Sequence, residues 1–208
     1  MEGRRTQSER RAESRKRLIE AAIEVLGTSG YAKATLAEIG KAAGLSRGLV
    51  THHFGSKEAC MQAVITAIRQ DVAGEMARVG AAKRGLGALD LLVDLYFTAV
   101  KLHSAGARAM YVVLTEAFTA SPGLQAAVAE SNEIVRGLIA GWIREGIEDG
   151  DVPADSDVKT HAVLVEAMLR GVSLQWLADP SRVDLQAVGG AAKRAVRAQL
   201  SAGATSPV

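Results

Sequence analysis

The sequence is poor in the residues that build disulfide frameworks, metal sites and β-sandwiches. A single cysteine, Cys60, excludes an internal disulfide and any site made of several cysteines. Aromatic residues make up only 4% of the chain and there are 4 prolines, whereas alanine is abundant. This composition favours packed helices over a sandwich or barrel. A lone thiol also fits a reducing compartment, so we expect a cytoplasmic protein.

Long apolar runs and catalytic motifs are missing as well. No run reaches the roughly 18 apolar residues that span a membrane, and the basic N-terminus is not followed by an apolar signal core. There is no nucleophile elbow and no glycine-rich loop after a strand. The adjacent His52 and His53 do not share a helix face, so they do not predict a metal pair. We therefore expect no membrane span, no enzyme activity, no cofactor and no metal.

Charge is distributed unevenly along the 208 residues. Residues 1–57 hold 11 Lys and Arg against 6 Asp and Glu, a net charge of +5, whereas residues 58–208 hold 14 against 17, a net charge of −3. A basic head on an acidic body is typical of a protein that places one end against phosphates. Residues 1–14 show no apolar periodicity, so we expect a flexible basic arm, either a solvated tail or an arm that reaches DNA.

The stretch from residue 35 to 57, TLAEIGKAAGLSRGLVTHHFGSK, has the pattern of two short helices joined by a tight turn. Thr35 and Glu38 form a capping box that predicts a helix start, and Gly44 predicts the helix end. Ser46 can cap a second helix, which ends at Gly55. Apolar residues recur along both helices at Ile39, Ala43, Leu45 and Val50. The spacing predicts a helix-turn-helix motif, whose second helix lies in the DNA major groove.

These residues resemble the DNA-binding domain of the TetR family of bacterial transcriptional regulators. The matching positions are Thr35, Ile39, Ala43, Gly44, Leu45, Ser46, Gly48, Val50, His53, Phe54, Ser56 and Lys57. The sequence departs from the family pattern at Gly40, where Ala is usual, and at Thr51, where Tyr is commonest. Strong similarity covers about residues 10–61, and the rest of the chain resembles the family in length and helical character.

The resemblance implies a set of DNA contacts, and the residue chemistry suggests their roles. Thr35 and the N-terminus of its helix are expected to bind a phosphate, as is Lys57 at the start of the fourth helix. Arg47 is the first choice for a bidentate guanine contact. The full predicted DNA-binding set is Lys33, Thr35, Ser46, Arg47, Gly48, Thr51, His52, His53 and Lys57.

Helical periodicity predicts about nine helices, and hence an all-α fold. A first helix over residues 15–26, ended by the stretch GTSGY (residues 27–31), packs on the motif, and a fourth helix links it to the remainder. We expect a DNA-binding domain over residues 15–56 and a ligand-binding and dimerisation domain over residues 57–208. Single carboxylates among these helices, such as Glu166, are expected to cap, pair or face solvent.

Polar and aromatic residues embedded among apolar ones on helices five to eight suggest a ligand cavity. The candidates are Tyr96, His103, Tyr111, Thr115, Phe118, Trp142 and Met168. Each of them also suits an ordinary core position, and His103 also suits an exposed helix end. The lining predicts a largely apolar small molecule with one or two polar groups rather than a polyanion.

An apolar stripe with small residues on the eighth and ninth helices predicts a dimer interface. It consists of Leu164, Met168, Gly171, Val172, Leu185, Val188, Ala192 and Val196. The alternative is that this stripe only closes the core. By resemblance, the function is a ligand-responsive regulator, usually a repressor, that binds a palindromic operator as a homodimer. The other reading is a helical protein-interaction regulator that has lost DNA binding, which Thr51 alone supports; an enzyme lacks any motif.

Overall fold

The computed structural model describes residues 6–81 and 83–201, and regular structure in these residues is entirely helical. The predicted all-α fold is confirmed. The helices are α1 (Gln7–Lys33), α2 (Leu36–Ala42), α3 (Arg47–Phe54), α4 (Lys57–Gly80), α5 (Gly85–Leu102), α6 (Ser104–Thr119), α7 (Gln125–Glu148), α8 (Val158–Ala178) and α9 (Leu185–Ser201). A short 3-10 turn, Pro122–Leu124, precedes α7.

Local sequence explains where most helices begin and end. The side chains of Thr35, Ser46 and Asp157 each accept a hydrogen bond from a backbone N–H in the first turn of the following helix. Gly44 and Gly55 follow α2 and α3 with positive φ angles of 65° and 74°, which favour glycine. These ends agree with the sequence prediction to within a residue or two.

The predicted start of the first helix is wrong, whereas its end falls within the predicted stretch. α1 starts at Gln7 because Thr6 and Glu9 form a capping box, so residues 7–14 are helical rather than a flexible arm. Arg4 and Arg5 of the predicted arm lie outside the described residues. The helical backbone of α1 is interrupted at Gly30, with φ 78° and ψ 174°, inside the stretch GTSGY, while Gly27 itself is helical. A Cβ atom there would stand 2.4 Å from the Ala105 carbonyl oxygen, so glycine permits close backbone packing.

The chain forms two compact units. The first joins the residues up to Arg69 with Ala105–Ala129, and the second joins Gln70–Ser104 with the residues from Glu130 onward. In the first unit α4 contributes Met61 and Val64 to a core shared with α1, α2, α3 and α6. The boundary between the units therefore falls within α4, not at the predicted functional division between residues 56 and 57. Cys60 is fully buried in this core beside Met61, and burial raises the pKa of the Cys60 thiol to about 11.

The second unit has its own core, to which α5, α7, α8 and α9 contribute Leu89, Val93, Ile143, Leu169 and Val196. α5 packs against both α8 and α9. The buried carboxylate of Glu166 accepts a hydrogen bond from Arg136 Nε at 2.7 Å and forms an ion pair with Arg170, whose Nη2 lies 2.7 Å from Glu166 Oε1. This is the pairing role anticipated for Glu166. In the part of the chain that the structure describes, no helix is long and apolar enough to cross a membrane.

Candidate nucleic-acid interface

α2 and α3 pack together as the sequence predicts for a helix-turn-helix motif. Ile39 and Val50 are fully buried between them. The helices approach closely at Gly40, where a Cβ atom would lie 3.0 Å from both the Leu45 carbonyl oxygen and Val50 Cγ2. The turn is held by the Leu45 N–H, which donates to the Gly40 carbonyl at 2.8 Å, and by Arg17, whose Nη2 donates to the Ala43 carbonyl at 2.7 Å. The motif is thus held by α1 as well as by its own turn.

The face of α3 opposite Val50 carries the residues predicted to read bases. Arg47 and Thr51 are four residues apart, as are Gly48 and His52, so the four form two adjacent columns on the helix. All four are exposed. The Thr51 hydroxyl donates to the Arg47 carbonyl at 3.2 Å, which leaves its lone pairs and methyl group facing outward. A Cβ atom on Gly48 would meet only Ser46 Oγ, at 3.8 Å, so nothing in the fold requires glycine there.

Two helix N-termini lie in the same motif. Thr35 Oγ1 accepts from the Glu38 N–H and Ser46 Oγ from the Leu49 N–H, both at 3.2 Å. Thr35, Ser46 and the nearby Lys33 are exposed. Each N-terminus carries backbone N–H groups without an intrahelical partner, together with the positive end of the helix dipole. The arrangement can accept the oxygens of an anion such as phosphate.

The structure places Lys57 differently from the expectation of an outward phosphate ligand. Its Nζ donates to the Tyr31 carbonyl at 2.6 Å and lies 3.8 Å from the centre of the Tyr31 ring. Desolvation lowers the pKa of Lys57, and nearby Glu116 opposes that shift. The Tyr31 hydroxyl in turn accepts a hydrogen bond from Ser121 Oγ at 3.1 Å, across 90 residues of sequence. Lys57 therefore ties the start of α4 to the junction of α1 and α2.

His53 lies at the end of α3 among positive charges. It is half-buried, and desolvation lowers its pKa, followed by the charges of His52, Arg11 and Arg15. The Arg15 guanidinium carbon is 5.5 Å from the centre of the Phe54 ring. The sequence prediction placed Arg11 in the arm and Arg15 at the start of the first helix, with a DNA role for neither; the Thr6 and Glu9 capping box is the signal that extends this helix through Arg11.

The predicted ligand-lining residues belong to both compact units. Tyr111, Thr115 and Phe118 belong to the first unit, whereas Tyr96, His103, Trp142 and Met168 belong to the second. Thr115 and His103 are exposed, and Phe118 is 69% exposed. The exposure of His103, which follows the last residue of α5, agrees with the alternative of an exposed helix end. Tyr96, Trp142 and Met168 are half-buried beside the core of the second unit.

The residues of the predicted interface stripe on α8 and α9 differ in how far they are buried. Ala192 and Val196 are buried within their own unit, so they close its core, as the alternative reading held. Met168, Val172 and Leu185 pack partly against that core, and Val188 is half-buried. Leu164 and Gly171 are exposed on α8. Val163 and Leu174, which sequence analysis did not select, are exposed on the same helix at 41% and 54%.

Comparison with known proteins bears on both parts of the chain. Residues 18–64 match the family model of bacterial regulatory proteins, tetR family, and residues 86–201 match that of the BetI-type transcriptional repressor, C-terminal. The chain is 28% identical over 173 residues to the HTH-type transcriptional regulator UidR of Escherichia coli K12, covering 83% of this chain and 84% of UidR.

Solved structures share the fold. A TetR-family regulator from Rhodococcus sp. matches with a TM-score of 0.82 and 17% identity, over 91% of this chain and all of the other. FadR from Bacillus subtilis, solved in complex with stearoyl-CoA, matches with a TM-score of 0.80 and 18% identity, over 88% of this chain and 98% of FadR. With a helix-turn-helix motif at one end and a repressor-type family match over more than half of its length, the chain belongs to the TetR family of bacterial transcriptional regulators, which are DNA-binding proteins and not enzymes.

Proposed function

We propose that the protein is a repressor that binds a palindromic operator as a homodimer and leaves it when a largely apolar small molecule binds. The main support for operator binding is the exposed face of α3, from which Arg47, Thr51 and His52 project. Among the described residues, neither Arg47 nor His52 forms an ion pair with a carboxylate. Arg47 is suited to guanine O6 and N7 in the major groove. Lys33, Thr35, Ser46 and the start of α4 at Lys57 would hold the flanking phosphates, and Gly48 would admit the DNA backbone or a base edge closely.

Operator binding is tested by fluorescence anisotropy with DNA from upstream of the protein's own gene. The expected result is a saturable complex that survives an excess of unrelated DNA at 150 mM salt, with half-sites spaced by about 34 Å or a multiple of it. Failure to prefer any upstream fragment over unrelated DNA would overturn the operator assignment and favour the protein-interaction reading.

The dimer is proposed to form through the outward face of α8, centred on Leu164 and Gly171 and extended to Val163 and Leu174. Burying the exposed Leu and Val side chains of this helix would remove apolar surface from water, which favours association. An exposed glycine also lets a second helix approach closely. Gly171→Arg should give a monomer by light scattering, with much weaker operator binding. Gly137→Arg on α7, another exposed helical glycine with open space around it, is the matched control and should remain a dimer. A dimeric Gly171→Arg variant would move the interface elsewhere.

The effector is proposed to bind in the second unit near the half-buried side chains of Tyr96, Trp142 and Met168. A mostly apolar surrounding with few polar groups suits an apolar molecule. The structural neighbour FadR was solved in complex with stearoyl-CoA, which contains a long apolar chain. Thermal-shift screening of apolar metabolites and drugs should find a stabilising compound that also lowers operator affinity, because ligand and DNA favour different states. A tight binder that leaves operator affinity unchanged at saturation would rule out the switch.

A further inference from the structure

α1 extends well beyond the part of it that packs in the core. Its first fully buried residue is Leu18, yet the helix starts at Gln7, so eleven residues, about 16 Å of helix, come before the core. This extension is ordered by its capping box: Glu9 N–H donates to Thr6 Oγ1 at 3.2 Å, and Thr6 N–H donates to Glu9 Oε2 at 2.7 Å. Because these eleven residues add little buried apolar surface, packing does not explain why the helix extends so far.

Two arginines of this extension point along the side of α1 that faces the motif. Arg11, Arg15, Leu18 and Ala22 are spaced at four, three and four residues, so they follow one face of the helix. Leu18 and Ala22 are fully buried, whereas Arg11 and Arg15 are exposed. The two guanidinium groups thus continue the buried stripe past the edge of the core. Arg15 reaches Phe54, the last residue of α3.

The charges of these two arginines are uncompensated. Among residues 6–57 the one ion pair joins Lys16 and Glu20, at 3.8 Å, and neither Arg11 nor Arg15 has a carboxylate within 4 Å. Like charges four residues apart destabilise a helix. His53 lies close enough for both arginines to lower its pKa. The end of α3 is therefore bordered by two guanidinium groups that have no carboxylate within 4 Å in the part of the chain that the structure describes.

We infer that Arg11 and Arg15 form a second phosphate-binding surface, which holds the operator backbone beside the major groove that α3 enters. A guanidinium binds phosphate oxygens through two parallel hydrogen bonds, and a phosphate would relieve the repulsion between the two arginines. The inference rests on the proposed operator binding. It adds contacts made by a helix outside the helix-turn-helix motif, and these contacts are independent of base sequence.

The test compares Arg11→Gln, Arg15→Gln and the double variant with Lys16→Gln, in the full-length protein. Lys16→Gln is the matched control because it removes the same charge from the same helix at a position paired with Glu20. Because the operator complex holds two subunits, each arginine variant should flatten the slope of log K against log salt by about 1.8, and the double variant by about 3.6. From 50 to 200 mM salt, the advantage of the wild type over the double variant should shrink about 150-fold. Lys16→Gln should keep the wild-type slope. The double variant Arg11→Lys with Arg15→Lys keeps both positive charges, so it should also show the wild-type slope.

A second measurement checks the geometry without DNA. Because Arg11 and Arg15 lower the pKa of His53, replacing either with Gln should raise that pKa in an NMR titration, whereas Lys16→Gln should leave it unchanged. If the wild type binds its operator but the double variant has the same salt slope and the same phosphate-ethylation interference, the inference is wrong and the proposed function stands. If the wild type binds no operator, the proposed function itself is wrong.

Discussion

The basic head and the second compact unit use the same charged residue types in opposite ways. In residues 6–57 the one ion pair is Lys16 with Glu20, on an exposed helix face. In the second unit, several cations are paired with carboxylates, most of them on another helix. The pairs are Arg84 with Glu148, Arg136 and Arg170 with Glu166, Lys193 with Asp94, and Arg197 with Asp90. Apart from Arg170, which pairs with Glu166 inside α8, these cations join helices, whereas Arg11, Arg15 and Arg47 of the head have no carboxylate within 4 Å in the described residues.

Because of this difference, removing a charge is expected to have one of two effects, a loss of stability or a loss of DNA affinity. Where a charge is buried and paired, its loss leaves the partner desolvated and uncompensated, so stability falls. Where a charge is exposed and unpaired, its loss changes stability little but removes a contact to DNA. Variants of the second unit should therefore reduce stability, and variants of the head should reduce operator affinity. Each prediction below tests one side of this contrast.

The largest effect is expected at Glu166, whose side chain is only 5% exposed. Glu166→Gln removes the charge that Arg136 and Arg170 share, and should lower the free energy of unfolding by about 3 kcal/mol, the low end for a buried pair because both arginines reach solvent. Urea denaturation at one protein concentration measures it. Glu133→Gln is the control: this carboxylate also pairs with Arg136 but is 76% exposed, so its loss should cost under about 0.5 kcal/mol. Equal losses in both variants would contradict the contrast.

Arg47→Ala tests the head. Operator binding should weaken by about 1–3 kcal/mol, with discrimination lost at one or two base pairs, because the bidentate guanine contact is removed. The free energy of unfolding should change by no more than about 0.5 kcal/mol, because Arg47 is exposed. Arg47→Lys keeps the charge and should retain non-specific affinity while losing discrimination. An unfolded or destabilised Arg47→Ala variant would show that this arginine is structural.

Replacing Lys57 should lower both stability and operator affinity. Its ammonium is bound to the Tyr31 carbonyl, and the residue also lies at the start of α4. Lys57→Met is expected to cost about 1 kcal/mol of unfolding free energy and to flatten the salt slope of the dimer on its operator by about 1.8, or about 0.9 per subunit. Tyr31→Phe keeps the carbonyl and the ring but loses the Ser121 hydrogen bond, so it should leave the slope unaltered. A Lys57→Met variant with the wild-type slope would restrict Lys57 to holding α4 in place.

Replacing Gly48 with alanine should raise the stability of the protein but lower its operator affinity. Gly48→Ala is expected to raise the free energy of unfolding by up to about 1 kcal/mol, because a Cβ atom fits there and alanine favours a helix. Operator affinity should fall by about 1 kcal/mol or more if α3 approaches DNA closely at this point. Gly74→Ala on α4, where a Cβ atom also meets open space, should stabilise without changing affinity. Unchanged affinity in Gly48→Ala would show that this position faces away from DNA.

The smallest effect is a pH dependence through His53. Its pKa in the folded protein is lowered from 6.5, so the unfolded state binds more protons between that lowered value and 6.5. Stability should therefore decrease as pH falls below 6.5, and His53→Asn should reduce this dependence. Operator binding should show the opposite trend, because a nearby phosphate favours the protonated imidazole. Identical pH profiles for the wild type and His53→Asn would remove His53 from the interface.

Much of the fold and part of the site could be predicted from short-range sequence patterns. Caps such as Thr35 and Ser46, and the left-handed positions at Gly44 and Gly55, act within four residues of the chain, so the ends of α2 and α3 agree with prediction. The same kind of signal at Thr6 and Glu9 was overlooked. Apolar spacing was less informative about what a residue faces: Ala192 and Val196 lie on a predicted interface stripe, yet they close the core of their own unit.

By itself the sequence determined the helix-turn-helix motif, the basic head and the family, because these depend on residue type and local spacing. Tertiary structure alone decided the partners of several of these residues. The bond from Lys57 to the Tyr31 carbonyl spans 26 residues of sequence, the Tyr31 and Ser121 bond spans 90, and Gly27 is required only because Ala105 packs against it. Such contacts arise when distant helices pack together, and helical periodicity contains no information about which helix becomes the neighbour.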